Sequence, residues 1–266
     1  MNPLKYATGA FLGWKADRSV SSFLAMEPDP ALVPEEFSTS LRDPSGYYIR
    51  MFQEFHRNCP PELRAHRDYF SQEKRGFGED AFHSMWWHLV KKFKPSSFLE
   101  IGVYRGQVLS LVSKVTRLEK IECRVTGISP FSPAGDSVSE YLKDLDYQAD
   151  TLSNFQHFSL AEPELLKAYS TDPEAVTRIE SQAWDMIYID GNHDYDVVLK
   201  DWNVCSKAVK QGGVIILDDS GLTTRYSPPP FATAGHPGPS RLASEIDLTK
   251  FEEILQVGHN RVFKKL

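Results

Sequence analysis

Three aspartates and one histidine stand where two apolar runs of the sequence end. Asp190 closes the first run and His193 follows it three residues later, while Asp218 and Asp219 close the second. Neighbouring strands of a sheet lie about 4.8 Å apart, so carboxylates at their ends converge. Several carboxylates in one cleft either take up a proton or bind a cation, and oxygen ligands alone select a hard ion such as Mg²⁺. The pattern predicts a divalent cation held by Asp190, Asp218 and Asp219. In the alternative interpretation, one aspartate caps the following helix and another faces solvent.

His193 lies in the loop between Asp190 and a predicted helix. A neutral imidazole can accept the proton of a hydroxyl whose pKa is lowered by a nearby cation. A histidine that only caps or packs the turn is the alternative. Because Asp190 precedes this histidine and two more aspartates face it, we interpret His193 as a general base, and we assign the catalytic role to His193 and Asp190.

The segment 98–106 indicates a strand, a glycine turn and the start of a helix. It carries Glu100 within an apolar run, breaks at Gly102 and Gly106, and then continues with helical spacing. Such a unit presents the free N–H groups of a helix to a cofactor. The spacing Gly-x-x-x-Gly differs from that of a dinucleotide site, and a carboxylate before the turn repels phosphate. The segment therefore favours a ligand with an ammonium and a sulfonium group over the cofactor of a dehydrogenase.

Apolar runs alternate with helical patterns from residue 79 onward. Helices are predicted over 79–93 and 195–210, where apolar residues recur every three or four positions. Strands are predicted at 124–128, 154–158, 184–189 and 214–217, followed by an antiparallel hairpin of 251–257 and 261–265. Nearly continuous apolar strands alternating with helices predict a parallel sheet covered on both faces.

The carboxyl ends of the predicted strands define where a cofactor binds in such a sheet. The first strand ends at the glycine turn, the second at Ser129, the third at Ser159 and the fourth at Asp190. We predict that the cofactor contacts Glu100, Gly102, Tyr104, Arg105, Gly106, Ser129, Ser159 and Asp190.

The length, net charge and cysteine content of the chain limit the kind of protein it can be. A length of 266 residues allows one large core with a smaller appendage, and the net charge of −6 gives no electrostatic reason to bind nucleic acid. Cys59, Cys123 and Cys205 lack the spacing of a metal site or a disulfide framework, as is typical of a reducing compartment. No apolar run approaches the roughly 18 residues of a membrane span, and the first residues lack a signal-peptide pattern. We expect a cytoplasmic protein with no membrane or nucleic-acid partner.

Two segments carry no readable motif. Residues 1–78 are punctuated by prolines and show one helical pattern, over 47–55. We predict a mostly helical or irregular cap there, followed by a catalytic domain at 79–266; a tail that packs beside the core or joins subunits of a homo-oligomer is the alternative. The loop 223–240 is expected to cover the substrate. Its candidate substrate contacts are Arg225, Tyr226 and His236, each with an ordinary loop residue as the alternative.

The segments 98–106, 187–195 and 211–219 together resemble class I S-adenosylmethionine-dependent methyltransferases, in the branch of small-molecule O-methyltransferases that act on sugars and natural products. The resemblance covers about residues 79–266. It implies an α/β fold with a Rossmann-like, doubly wound sheet of seven strands, mostly parallel and ending in an antiparallel hairpin. In cation-dependent relatives of the catechol type, an Asp ending strand four and a pair ending strand five hold Mg²⁺. By that similarity Asp190, Asp218 and Asp219 are ligands, and His193 fills the place of a basic residue.

The function implied by the resemblance is methyl transfer from S-adenosyl-L-methionine to a hydroxyl of a small molecule, assisted by a divalent cation. A metal-independent enzyme that uses His193 alone, or a non-catalytic homologue that binds the cofactor, is the alternative. One residue departs from the family pattern. Ser129 stands where family members usually carry the acidic residue that binds the ribose hydroxyls, and Asp136 in the next loop is the alternative ribose contact.

Overall fold

One seven-stranded sheet organises the protein, whose computed structural model describes residues 20–133, 135–136 and 141–266. The strands are β1 (Ser97–Ile101), β2 (Arg124–Ser129), β3 (Glu164–Lys167), β4 (Trp184–Ile189), β5 (Val209–Leu217), β6 (Phe251–Val257) and β7 (Asn260–Lys265). They lie in the order β3-β2-β1-β4-β5-β7-β6. Strands β1 to β5 pair in parallel, and β7 pairs antiparallel with both β5 and β6. The predicted fold, a mostly parallel sheet with a C-terminal antiparallel hairpin, is confirmed.

Helices cover both faces of this sheet. Those that lie wholly within the described residues are α1 (Thr39–Arg42), α2 (Pro44–Arg57), α3 (Pro61–Ser71), α4 (Asp80–Phe93), α5 (Gln107–Leu118), α6 (Tyr147–His157), α7 (Pro173–Glu180), α8 (Tyr195–Ala208) and α9 (Pro237–Glu245). Four of them begin at a proline, whose fixed φ suits the first helical position and whose missing N–H is not needed there. In the described ranges, no helix combines the length and the apolarity that crossing a bilayer requires.

Alternate residues of the central strands enter two different cores. One core contains Phe98, Met186, Tyr188, Val214 and Ile216 and is completed by apolar side chains of α2, α4 and α5. The other contains Leu99, Ile101, Ile187, Ile189, Ile215 and Leu217 and is completed by α7, α8 and α9. Burial on both faces explains why β4 is apolar along nearly its whole length, because removing apolar surface from water stabilises the fold by roughly 25 cal/mol per Å².

The predicted third strand is wrong. Residues 154–158 form the end of α6 and the residue after it, and the third strand is β3, ten residues later. Asp146 starts the helix, since its carboxylate accepts the N–H of Ala149 at 3.0 Å. The buried residues of α6 are Tyr147, Thr151, Asn154 and Phe155, a helical spacing that the short apolar run concealed. Strand β3 lies at the edge of the sheet and is half-exposed, so it lacks the strong apolar signal of β4.

Strand β5 also begins earlier than predicted. It starts at Val209 rather than Val214, directly after α8. Its pairing with β4 shifts register, because Trp184 pairs with Val209 whereas Met186 pairs with Val214. The intervening residues bulge from the ladder, and Gly212 adopts a φ of +77° there. The two glycines that suggested a strand start therefore mark a bulge within the strand.

The described part of residues 1–78 packs onto the core of the sheet. The predicted helix over 47–55 is confirmed within α2, whose residues Tyr47, Tyr48 and Met51 are buried in the same core as Phe98. The ring of Tyr226, from the loop 223–240, lies 5.5 Å from that of Tyr48. The first 19 residues of the predicted cap lie outside the described residues, and a role of this segment in covering the substrate stays a prediction.

Two buried histidines connect the N-terminal helices to the helix that follows the glycine turn. His83 Nδ1 lies 3.2 Å from the carbonyl of Glu79, His66 Nδ1 lies 3.1 Å from His83 Nε2, and His66 Nε2 lies 2.9 Å from Ser110 Oγ. Since a carbonyl only accepts, His83 carries its proton on Nδ1 and its Nε2 accepts from His66. Burial lowers the pKa of both histidines, to about 3 for His83, so both are neutral near pH 7.

Acid is expected to destabilise the fold through this pair. A histidine whose pKa is lower in the folded protein contributes its full stability above the unfolded pKa of about 6.5, and loses it as the pH falls towards the folded value. For His83, with a folded pKa of about 3, the loss at pH 5 is about 2 kcal/mol. Urea unfolding at pH 7.5 and pH 5 measures it. The acid loss should be smaller in His83→Gln and unchanged in His157→Gln, at an exposed histidine; equal losses in both variants and the wild type contradict the interpretation.

Candidate active site

The glycine turn after β1 lies directly against the chain that leaves β4. Gly102 and Gly106 have φ of +95° and +76°, a region that side chains rarely tolerate. A Cβ on Gly102 would overlap the carbonyl oxygen of Asp190. The N–H of Asp190 donates to Ile101 at 2.8 Å, which fixes this close approach. Gly102 therefore keeps the turn after β1 and the loop after β4 in contact, as the predicted convergence of strand ends requires.

Glu100 is a buried carboxylate at this turn. It is 3% exposed, and its Oε2 has no hydrogen-bond partner among the described residues. Burial raises its pKa to about 8, a shift that the N–H of Leu109 opposes and the charge of Asp218 reinforces. A buried acceptor without a partner is costly unless a ligand satisfies it. The carboxylate therefore fits a cationic group bound beside the turn.

Asp190, Asp218 and Asp219 lie together at the ends of β4 and β5. The N–H of Asp218 donates to Ile189 at 3.0 Å, which places the two strand ends side by side. Asp190 and Asp218 share a hydrogen bond between their carboxyl groups, and burial next to other carboxylates raises the pKa of both. Asp218 Oδ1 is buried without a hydrogen-bond partner among the described residues. The structure thus brings the three aspartates together, as the sequence predicted, and their proximity favours uptake of a proton.

His193 lies between two carboxylates. Its Nδ1 is 2.6 Å from Asp136 Oδ2 and its Nε2 is 2.7 Å from Asp219 Oδ2; its backbone N–H also donates to Asp136, at 2.7 Å. Burial lowers the pKa of His193, but the bonds to Asp219 and Asp136 outweigh it and raise the pKa to about 9. The same bond to His193 lowers the pKa of Asp219 against the opposing effect of burial. The imidazole is therefore a protonated bridge between the two carboxylates near pH 7.

Two further histidines face Asp219. His236 Nε2 lies 3.8 Å from its Oδ2, and the ring of His236 lies 4.3 Å from that of His193. His259 Nε2 lies 3.4 Å from Asp218 Oδ1 and 3.9 Å from Asp219 Oδ1. His236 was predicted as a substrate contact, whereas His259 was not among the predicted site residues. The signal for His259 was its position in the hairpin turn, because a last strand that runs antiparallel to β5 begins where β5 ends.

Asp136 faces His193 in this structure, whereas the sequence suggested it as a ribose contact. Ser129 Oγ donates to the carbonyl of Val103 at 3.0 Å, beside the glycine turn. Ser159 follows α6 rather than a strand, and its carbonyl accepts from Arg117 at the far end of α5. The premise on which Ser159 was assigned to the cofactor is therefore wrong, since α5 begins at the glycine turn and runs away from it.

Arg105 and Tyr104 of the glycine turn contact protein groups. The Arg105 guanidinium forms a two-point ion pair with Asp150, at 2.6 and 2.9 Å, and donates to the carbonyl of Glu73. It therefore ties the turn to α6, and the protein occupies most of its donors. The ring of Tyr104 packs against those of Phe77, Tyr141 and Tyr147.

The three candidate substrate contacts have different surroundings. Tyr226 is buried against Tyr48, Arg225 is exposed, and His236 is half-buried beside His193. A cavity of about 390 Å³ opens next to His236. Its lining consists of Asp136, His193, Asp194, Tyr195, His236, Pro237, Gly238 and Arg241. The structure thus brings His236 to a concave site with His193, and leaves Arg225 and Tyr226 outside its lining.

Part of the chain is similar to known proteins. Residues 99–220 match the family model of a methyltransferase domain. The matched segment begins in β1 and ends just after Asp219, so it contains the glycine turn and all three aspartates of the cluster. A curated relative, an uncharacterized protein of Acanthamoeba polyphaga mimivirus, is 29% identical over 125 residues, which are 46% of this chain and 51% of that protein. The chain spans about half the length of this relative.

Solved structures share the fold over more of the chain. A methyltransferase from Podospora anserina, bound to S-adenosylhomocysteine, is 15% identical with a TM-score of 0.55, covering 82% of this chain and 94% of its own. An O-methyltransferase from Bacillus cereus, in complex with the same compound, is 14% identical with a TM-score of 0.52, covering 78% and 91%. At these identities the likeness concerns the fold, which is the Rossmann-like methyltransferase fold.

The contact at Gly102 can be tested with a matched pair of glycines. Gly102→Ala should lower the free energy of unfolding by at least about 2 kcal/mol, because the new methyl group meets a backbone carbonyl in a strained conformation. Gly191→Ala is the control, since its Cβ would lie 3.6 Å from Ile101, an ordinary contact. Urea unfolding measures both. Equal stability of the two variants would show that the turn and the β4 loop are not in the described contact.

Proposed function

We propose that this protein transfers the methyl group of S-adenosyl-L-methionine to a hydroxyl oxygen of a small molecule such as a sugar or natural product. A divalent cation at Asp190, Asp218 and Asp219 assists, and His193 is the general base. One observation carries the proposal: the segment that matches a methyltransferase domain contains both the glycine turn and the aspartates, and the fold gathers them at one edge of the sheet.

The surroundings of Glu100 fit a donor that carries positive charge. Its unpartnered Oε2 offers a buried acceptor beside the turn, and the N-cap residue of α5, Gly106, makes no side-chain cap to the first turn of that helix. The solved structures from Podospora anserina and Bacillus cereus contain S-adenosylhomocysteine. This chain shares their fold, which supports the same donor at the carboxyl ends of its strands.

The cluster of aspartates fits a cation. Asp218 Oδ1 is buried without a partner, and Asp190 and Asp218 are close enough to share one hydrogen bond. Several carboxylates gathered in a buried cleft are unfavourable unless a proton or a cation balances them. When bound, a divalent cation supplies the positive charge that lowers the pKa of an acceptor hydroxyl.

The transfer is a direct displacement at the methyl carbon. The hydroxyl oxygen of the acceptor donates an electron pair to that carbon, the carbon–sulfur bond breaks, and its electron pair stays on the sulfur of S-adenosylhomocysteine. His193 is protonated while it bridges Asp136 and Asp219, so its bond to Asp219 at 2.7 Å must open and its Nε2 proton must pass to solvent first. The neutral imidazole then accepts the proton of the hydroxyl at Nε2. Asp136 stays on Nδ1 and holds the ring in place. Catalysis then rests on positioning and on proton removal.

Calorimetric titration of S-adenosylhomocysteine tests the donor site. We expect binding by the wild type, and weaker binding by about tenfold in Glu100→Gln, whose side chain has nearly the same size but cannot ionise when the donor's ammonium or sulfonium binds beside it. Glu122→Gln is the control at an exposed glutamate and should bind like the wild type. Failure of the wild type to bind contradicts the proposed donor, and equal binding by both variants removes Glu100 from the site.

The role of His193 is tested by turnover. S-adenosylhomocysteine formation is followed by mass spectrometry across a panel of glycosides, catechols and aliphatic alcohols, with and without a chelator. For an acceptor that reacts, His193→Gln should lower kcat by about 10²- to 10⁴-fold while the affinity for S-adenosylhomocysteine stays unchanged; His157→Gln should keep wild-type turnover. Full activity with chelator favours the metal-independent alternative. Donor binding without turnover of any acceptor favours a non-catalytic homologue.

A further inference from the structure

His259 reaches the cluster of aspartates from the opposite side to His193. A two-residue loop, Gly258-His259, joins β6 to β7, and Gly258 adopts a φ of +60°, as the first position of a tight hairpin turn requires. A Cβ at this glycine would also press on Phe82, so the turn depends on glycine. Leu217 of β5 pairs with Arg261 of β7. This antiparallel register places the hairpin turn beside the residues that follow β5, which are Asp218 and Asp219.

The ring of His259 is oriented with Nε2 towards the aspartates. Its Nδ1 lies 3.1 Å from the carbonyl of Thr233, and because a carbonyl only accepts, Nδ1 carries a proton. The ring of Phe82 packs against it with centroids 4.8 Å apart. Histidines that bind metals commonly donate their other ring N–H to a backbone carbonyl, which fixes the ring and leaves the second nitrogen to the metal. His259 has this arrangement.

The distances fit a single cation between three donor atoms. His259 Nε2 lies 3.4 Å from Asp218 Oδ1 and 3.9 Å from Asp219 Oδ1. Donor atoms that share one cation at about 2.0–2.2 Å lie about 3–4 Å from one another. Asp218 Oδ1 is the atom left without a hydrogen-bond partner, and it points at His259. These three atoms are a group that can hold a metal ion.

A second group around Asp219 is less suited. His193, Asp219 and His236 also gather three donor atoms. However, both ring nitrogens of His193 already form short hydrogen bonds, one to Asp136 and one to Asp219 Oδ2. A cation in this group would have to displace one of these bonds. The group with His259 contains Asp218 Oδ1, the oxygen without a hydrogen-bond partner, and is therefore the better cation site.

We propose that His259 Nε2 is a ligand of the cation at Asp218 and Asp219, and that this site therefore prefers a transition ion such as Mn²⁺ or Co²⁺ to Mg²⁺. The inference rests on the proposed function, because it names a further ligand of the cation that assists methyl transfer. Carboxylates suit Mg²⁺ as well as Mn²⁺, whereas an imidazole nitrogen suits first-row transition ions. A site with one nitrogen among its oxygen ligands is therefore expected to bind Mn²⁺ more tightly than Mg²⁺.

Metal binding by the chelator-treated full-length protein tests the proposal, with MnCl₂ and MgCl₂ as the probes in calorimetry. The wild type should bind Mn²⁺ at least ten times more tightly than Mg²⁺. His259→Gln should lose at least tenfold in Mn²⁺ affinity while Mg²⁺ affinity changes less than threefold. His157→Gln should match the wild type. Equal affinity of the wild type for both ions, or no effect of His259→Gln on Mn²⁺, overturns the proposal.

A spectroscopic readout on the wild type needs no variant to fold. Pulsed electron paramagnetic resonance of the bound Mn²⁺ should show coupling to an imidazole ¹⁴N, and the coupling should vanish in His259→Gln. Bound Mn²⁺ without nitrogen coupling overturns the role of His259 and leaves the cation site of the proposed function standing. A protein that binds S-adenosylhomocysteine but neither ion contradicts both the nitrogen ligand and the cation, while the donor site stands.

Discussion

Burial of several carboxylates at the carboxyl ends of the central strands is the constraint on which the rest of the site depends. Glu100, Asp190, Asp218 and Asp219 come from three adjacent strands and lie within each other's electrostatic reach. Like charges in a buried setting repel strongly, so the protein must supply protons, cationic side chains or bound cations. Its own contribution is a carboxyl–carboxyl hydrogen bond and three histidines, His193, His236 and His259, on three separate loops.

Two of these carboxyl groups lack a hydrogen-bond partner for one oxygen, and each such oxygen suggests a bound ligand. Asp219 Oδ2 lies 2.7 Å from His193 Nε2, whereas Glu100 and Asp218 each retain a buried oxygen without a hydrogen-bond partner among the described residues. A positively charged donor beside the turn would satisfy the first, and a metal ion beside His259 would satisfy the second. Each ligand would supply a partner to an oxygen that the described residues leave without a hydrogen bond. Binding of these ligands would therefore also stabilise the strand ends that carry Glu100 and Asp218.

The sequence was informative where a local pattern decides structure. Strand β4 and both hairpin strands were predicted closely because burial on both faces, or a glycine in a tight turn, leaves a clear pattern. The convergence of Asp190 with Asp218 followed from the topology of parallel strands. Strand β3 was missed because an edge strand is half-exposed and short, and a helix nearby offered a similar apolar run.

Partners that come from distant parts of the chain were not predictable from local pattern. Asp136 reaches His193 across 57 residues, and the loop that carries it has no periodicity to reveal its direction. The position of His259 could have been inferred from the sequence, because β7 runs antiparallel to β5 and must begin where β5 ends. The turn type alone does not reveal this contact; it follows only from the register of β7 against β5, which places the turn beside Asp218. Arg105 shows the converse: its place in the glycine turn suggested a ligand contact, yet its guanidinium pairs with Asp150.

A crystal structure with S-adenosylhomocysteine and Mn²⁺, with diffraction data collected at the manganese edge, tests most directly whether the strand ends form one site for donor and cation. We expect S-adenosylhomocysteine at the glycine turn between Gly102 and Gly106. We also expect an anomalous peak between Asp218, Asp219 and His259, at about 2.2 Å from His259 Nε2. Absence of the compound from the turn, or a manganese peak remote from these aspartates, would contradict the site described here.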